Sequence, residues 1–402
     1  MRIGIIKEGK IPQDIRVALN PKHCKAIIQK YPDTQVFIEP SNTRAFTDEE
    51  YKNEQIPLIN NLTDCDILFG VKEVPIPNLI PNKTYFFFSH TKKKQAYNQD
   101  LMQALIEKNI RMIDYESLTF ENGKRILGFG FYAGVVGAHN ALLTYGKKYK
   151  NFSLKPAHQC KDMAEMEAQY ENIQFPNIKI IITGEGRVGQ GILHTLNNMK
   201  IQEVGHEDFL NKEFKFPVFT LLKNEDLYRN KETLTYDKSE FYAHPEKYEC
   251  MLQPFLKADI LINGIYWDNN IPRLFEEEEV KHNYFQLKVI ADITCDIDGS
   301  IPITLKATTI PNPAYGYIRT TKEKVAPYLN DDNIVDIMSV DNLPNELPRD
   351  ASNNFGNLIL EFIIPELFKA HSEILDRATI CNNGKLGKHF EYLEDYAFPI
   401  KA

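Results

Sequence analysis

The chain has 402 residues, 43% hydrophobic and 25% charged. That is ample apolar material for a core, which excludes a disordered chain, and at ~100–200 residues per domain the length fits two or three domains. The net charge of −8 lacks the basic surface that nucleic acid or an anionic membrane requires, so neither is expected as a partner, whereas a local basic pocket for a small acidic substrate remains compatible with it. The six cysteines show no CxxC pair and no metal-ligand spacing. They read as free thiols in a reducing compartment, with no metal site. The opening MRIGIIKEGK is not a signal peptide, and no apolar run approaches the ~20 residues of a membrane span, so a cytoplasmic protein is expected.

In chain order, Arg2–Ile6 predicts a buried strand and Pro21–Tyr31 a helix. Gln35–Ile38, Asp66–Val71 and Thr84–Phe88 predict three further strands, followed by a helix at Leu101–Lys108 and a strand at Arg111–Asp114. Strands alternating with helices predict a parallel α/β domain. The glycine-rich run Phe129–Tyr145 predicts a buried helix joining two domains, and residues 146–175 are polar with no clear period. Ile178–Thr183 predicts a strand and the residues up to Met199 a helix. A polar insertion at about 209–248 reads as an elaborated surface region. Ala258–Asn263 and Lys288–Ile293 predict buried strands, and about Ala351 to His371 a helix.

The turn Gly184-Glu-Gly-Arg-Val-Gly-Gln-Gly191 joins that strand to that helix. Gly184, Gly186 and Gly189 fit GxGxxG in the context that gives the motif weight. The first glycine permits a tight turn, the second lets backbone approach a pyrophosphate, and the third allows close helix–strand packing. The helix start then faces the phosphates with unpaired N–H groups. NAD-selective sites carry an acid about 20 residues after the first glycine. Here Glu203 comes early, Glu207 and Asp208 begin the next helix, and Gly205 or His206 falls where the acid belongs. NADP(H) is therefore favoured over NAD(H).

Lys72 and His90 sit at carboxyl ends of expected strands, where parallel sheets place their ligands. Together they suit proton transfer near neutral pH. Lys92, Lys93 and Lys94 read as a solvated face that also suits an anion-binding rim, with Lys93 entering as a substrate-binding candidate. Arg16 and Arg125 suit a substrate carboxylate through the planar guanidinium fork. Glu73, Glu116, Asp292 and Asp296 lie at expected strand ends, and Asp292–Asp298 matches no calcium loop. His139, His194 and His244 read as structural.

The segments KEGKIPQDIRVAL, DILFGVKEVP, FSHTKKKQ and RMIDYESL, with FGFYAG after Arg125, resemble the alanine dehydrogenase/transhydrogenase and saccharopine dehydrogenase superfamily. HPEKYE, LINGIYWDNNIPRL, ADITCDIDGSI, SVDNLPNELP and ATICNNGKL are similar to its lysine–2-oxoglutarate reductase branch. The resemblance covers nearly the whole chain, without the saccharopine-oxidising portion of the bifunctional enzymes. It implies an α/β fold of two Rossmann-like domains with parallel sheets and an interdomain cleft. The substrate domain would combine 1–133 with 318–402, and the dinucleotide domain would be 134–317. Carried over, Lys72 and His90 form the proton-transferring pair, and Arg16 and Arg125 are substrate-carboxylate ligands. Glu73 and Glu116 tune those charges, and Asp296 and Asn342 sit near the substrate. Arg187, Val188, Asn263, Gly264 and Asp292 join the three glycines toward the cofactor, Asp292 also holding its loop. The stretch 146–175 matches only patchily, and the acid of fungal NAD-linked relatives is missing. The implied reaction condenses lysine with 2-oxoglutarate to saccharopine, or the reverse. Alanine dehydrogenase chemistry and a non-catalytic nucleotide-binding role stay open as alternatives, and a homo-oligomer is compatible with the sequence.

Overall fold

A computed structural model describes residues 1–399. The chain forms two compact units, the first from Met1–Phe129 with the segment from Pro348 on, the second from Gly130–Leu347. The expected boundaries at 133/134 and 317/318 therefore move. The first shifts by a few residues. The second falls 30 residues later, because segments after 318 pair into the second unit's sheet.

In the first unit the elements run β1 (Arg2–Ile5), α1 (Pro21–Lys30), β2 (Gln35–Ile38), α2 (Asp48–Asn53), β3 (Ile67–Phe69), β4 (Thr84–Phe87), α3 (Gln99–Glu107) and β5 (Arg111–Asp114). The strands β2, β1, β3, β4 and β5 pair in that order, all parallel. Of two short strands in the returning segment, Thr379–Asn382 pairs antiparallel with β5, and Lys385–Leu386 pairs antiparallel with Thr379–Asn382 at the edge. The central β3 is buried throughout, as expected of a strand covered on both faces. Phe69 and Phe86 stack across β3 and β4 at 4.6 Å. The helix α2 is one the hydrophobic pattern misses. Its start is marked by a capping box, Thr47 Oγ1 accepting the Glu50 N–H and Glu50 Oε2 the Thr47 N–H.

The returning helix is interrupted. An α-helix covers Pro348–Leu358, a wider π turn Ile359–Ile363 and a tighter 3₁₀ turn Ile364–Phe368. Pro365 has no N–H for the i→i−4 ladder, so the single helix expected over 351–371 changes pitch there.

The second unit begins with α4 (Gly130–Tyr149), the buried helix expected from its glycine-rich run. A short α5 (Met163–Ala168) follows inside the stretch that shows no period. Then come β6 (Lys179–Thr183), α6 (Arg187–Asn198), β7 (Gln202–Glu203), α7 (His206–Asn211) and β8 (Val218–Leu222). The hairpin strands β9 (Tyr228–Asn230) and β10 (Tyr248–Cys250) form a separate ribbon. Next are β11 (Ile260–Asn263), β12 (Val289–Asp292), β13 (Ala314–Ile318), β14 (Lys324–Val325) and β15 (Ile334–Met338). The sheet order is β14-β13-β15-β12-β11-β6-β8-β7. Only β13 runs antiparallel to its neighbours, so both sheets are parallel-rich but mixed. The region expected as a surface insertion thus holds a core strand, β8, four of whose five residues are buried.

Glycines set the approach of α4 to α6. A β-carbon at Gly191 would fall 2.0 Å from the Phe131 carbonyl oxygen, and one at Gly134 2.0 Å from that of Val188. Either addition would force the helices apart. Among the described residues no helix is long and apolar enough to cross a membrane.

Candidate functional site

In the first unit the carboxyl ends of β1, β3, β4 and β5 deliver the charged groups. After β1, Glu8 turns its carboxylate onto the end of β3, where Oε1 accepts the Val71 N–H at 2.7 Å and Oε2 the Lys72 N–H at 2.8 Å. Burial and the neighbouring Asp14 nonetheless push the Glu8 carboxyl up to about 8, against those two bonds and Arg16. Arg16 is 3% exposed and gives its fork to Asp14, at 2.9 Å from Nε and 2.5 Å from Nη2. Its guanidinium also lies over the Phe129 ring at 4.1 Å. The expected carboxylate ligand therefore already holds an internal carboxylate.

Lys72 follows the backbone that Glu8 grips. Burial, with Arg16 nearby, lowers the pKa of its amine from the ordinary lysine value, partly offset by Asp14. Glu73 bridges two donors, accepting from His90 Nδ1 at 2.6 Å and from Lys10 Nζ at 2.7 Å. Burial pushes its carboxyl up, but the bonds from His90 and Lys10 outweigh that and hold it at about 2. Glu73 is thus ionised at neutral pH and can only accept. The proton of neutral His90 must then sit on Nδ1, which leaves Nε2 as a lone-pair acceptor.

Asp114, the last residue of β5, organises the neighbouring turns. One oxygen accepts from Ser89 N (2.9 Å) and Ser89 Oγ (2.5 Å), and the other from Glu116 N (2.6 Å). His90 directly follows that clamp, in a left-handed conformation at φ +54°. Glu116 faces Arg125 at 3.7 Å and Lys92 at 3.9 Å. Arg125 also lies over the Phe88 ring at 5.6 Å. Lys93, expected at the substrate, is exposed, and Lys92 beside it makes the approach to Glu116. The structure thus brings Lys72, Glu73 and His90 together, with Arg16 and Asp14 beside them. Glu116 and Arg125 form an adjoining pair. Sequence reasoning missed Glu8, Lys10, Asp14 and Asp114. The only signal for the first three was their place in the charged run after β1.

In the second unit the glycine turn meets all three demands of the motif. Gly184 has φ +89°, and a β-carbon there would fall 2.7 Å from the Gly264 carbonyl oxygen. A β-carbon at Gly189 would fall 2.0 Å from the Gly184 carbonyl oxygen, and one at Gly186 would meet nothing within 4 Å. Backbone is therefore open to a ligand at the position where a pyrophosphate approaches, at the start of the 12-residue α6. Arg187 and Val188 open that helix, both half-buried. Gly264 lies against the Val188 and Ile192 side chains. The residues present fit a dinucleotide.

Asn263 and Asp292, expected toward the cofactor, sit at the carboxyl ends of β11 and β12. Both are fully buried and directly paired in register. Asn263 donates to Asp292 Oδ1 (3.0 Å) and Ser300 Oγ (2.9 Å) and accepts from Thr183 (2.7 Å). Asp292 further accepts from Thr294 and Thr304, each at 2.6 Å. Their polar side-chain atoms tie strand ends and the following loop together. Asp296 is exposed on that loop, and Asn342 is half-buried in the turn after β15. The two segments approach through Cys295 Sγ and Asp341 Oδ1, 3.7 Å apart. Gly205 and His206 follow the edge strand β7, one strand out from the position where the ribose acid was sought.

The second unit thus carries a pyrophosphate-type turn in a parallel-rich sheet, and the first carries clustered acid–base groups at its strand ends, features that fit dinucleotide-dependent chemistry. The comparisons agree. Residues 4–136 match the family described as alanine dehydrogenase/PNT, N-terminal domain. The chain is 26% identical to the alpha-aminoadipic semialdehyde synthase of Arabidopsis thaliana, over 97% of this chain and 41% of that protein. It is 23% identical to the saccharopine dehydrogenase [NAD(+), L-lysine-forming] of Emericella nidulans, over 93% of this chain and 95% of that protein. The chain spans less than half the length of the semialdehyde synthase relatives it matches. A solved L-alanine dehydrogenase superposes with a TM-score of 0.66 at 17% identity, covering 99% of both chains. That likeness shows the fold.

Proposed function

We propose that this protein reductively condenses L-lysine with 2-oxoglutarate to saccharopine, or runs the reverse, with NADP(H) favoured over NAD(H). The observation that carries the reading is the Lys72–Glu73–His90 group, an ionised carboxylate fixing the tautomer of a histidine beside a lysine whose pKa is lowered. The named relatives that cover nearly all of this chain support the choice of substrates. The bound nicotinamide supplies a hydride to the imine carbon. His90 Nε2 takes a proton from the ε-ammonium of lysine, which frees the amine to attack the keto carbon. Lys72 carries the proton that lets the carbinolamine lose water. Glu73 keeps the His90 ring oriented and stabilises it while it is charged. Arg125, whose guanidinium lies 3.7 Å from Glu116, binds one substrate carboxylate, and Arg16 with Asp14 supports a second.

The test is cofactor oxidation across amine and keto-acid pairs. Lysine with 2-oxoglutarate is expected to drive NADPH oxidation, while ammonia with pyruvate does not. The opposite pattern would move the protein to alanine dehydrogenase chemistry. No oxidation with any pair would favour a non-catalytic role.

A further inference from the structure

In a doubly wound sheet, the group that reads the adenosine ribose stands at the carboxyl end of the strand neighbouring the glycine-turn strand. In this chain that neighbour is not the next strand in sequence. β8 pairs with β6 from Lys179↔Val218 to Thr183↔Leu222, and β7 pairs only on the far side of β8. The Gly184 N–H donates to the Leu222 carbonyl at 3.0 Å, so the residue after Leu222 lies against the glycine turn. That residue is Lys223, about twice as far along the chain as the usual ribose acid because β7 and α7 are interposed.

The surroundings of Lys223 suit an incoming anion. Its Nζ is 3.9 Å from Glu185 Oε2 and 4.0 Å from Glu225 Oε1, with the Lys223 side chain 45% exposed and both glutamates largely exposed. Pairs this long and this wet hold an ammonium weakly and exchange readily for a phosphate dianion. The remaining acid, Asp226, is engaged elsewhere. Its Oδ2 accepts the Lys223 N–H at 2.8 Å, and its Oδ1 faces His206 Nδ1 at 3.6 Å. His206 reaches across from α7, donating Nε2–H to the Leu221 carbonyl at 2.9 Å. A β-carbon at Gly205 would meet nothing within 4 Å, so the same edge is also roomy.

From this placement we propose that Lys223 is the specificity-determining residue for the cofactor, recognising a phosphate on the 2′ position of the adenosine ribose. The proposal rests on the dinucleotide reading of the glycine turn and names the group that chooses between its two forms.

The experiment is calorimetric titration of the intact protein with NADPH and with NADH. Wild type is expected to bind NADPH more tightly. Lys223→Ala should weaken NADPH about tenfold or more, the scale of one hydrogen bond to a charged group, and change NADH less than about threefold. Lys223→Arg should keep the preference. An unchanged ratio of the two affinities in Lys223→Ala, or tighter NADH binding by wild type, would overturn the proposal and point to Glu185 or Glu225 reading a ribose hydroxyl. Failure of wild type to bind either dinucleotide would instead remove the glycine-turn reading, and the proposal with it.

Discussion

Replacing Glu73 with glutamine keeps the shape of the side chain and removes the charge that joins His90 to Lys10. In the folded protein the Glu73 carboxyl is held at about 2 against 4.5 for an unperturbed one, burial being outweighed by the bonds from His90 and Lys10. The folded state thus favours the ionised form by about 2.5 pH units, or about 3 kcal/mol at 1.36 kcal/mol per unit. The pKa is depressed on folding, so this stability is fully present above pH 4.5 and is lost as pH falls toward 2. Glu73→Gln should therefore lower the unfolding free energy at pH 7 by about 3 kcal/mol, and the gap from wild type should shrink to about 1.4 kcal/mol at pH 3. Urea unfolding of both proteins across that range reads it directly. A gap below about 1 kcal/mol at pH 7, or one that does not change with pH, would refute the reasoning.

Three further outcomes are expected. Lys72→Met should cut kcat by at least about a hundredfold, the scale of a lost acid–base group, while calorimetric binding of NADPH stays near wild type; equal losses in both would make Lys72 structural. Arg125→Ala should raise KM for 2-oxoglutarate about tenfold or more, with KM for the nucleotide nearly unchanged, in steady-state kinetics. Lys148→Met should destabilise the protein by about 3–5 kcal/mol in chemical denaturation, because Lys148 and Asp336 form an ion pair at 3.6 Å with neither side chain exposed.

Much of the architecture was legible in the chain. Short apolar runs such as ILF and KIIIT announce β3 and β6 because a parallel sheet covered on both faces needs continuous hydrophobic strands. The run VFTLL of β8 carries the same signal, yet polar sequence on both sides hides it within what reads as an insertion. Missing that strand also misplaces the cofactor's ribose group, since Lys223 gains its position only from the pairing of β8 with β6. The later unit boundary follows from β15, whose place is set by pairing with β12 and β13 and not by any local punctuation.

The same distinction holds for the site. Lys72 and His90 are legible as polar residues ending apolar strands. Glu8 and Asp114 are not, because their roles lie in gripping backbone N–H groups 63 and 25 residues away. Asn263 and Asp292 look like ligands from their strand-end positions. Register puts them opposite one another, and the hydrogen bond between them is visible only in the fold.

The most direct test of the account is to incubate the protein with NADPH, L-lysine and 2-oxoglutarate and to weigh the product by mass spectrometry. The account predicts saccharopine, formed one for one with the NADPH oxidised and absent when lysine is left out. NADPH oxidation that yields glutamate, or a product without the lysine carbons, would contradict it.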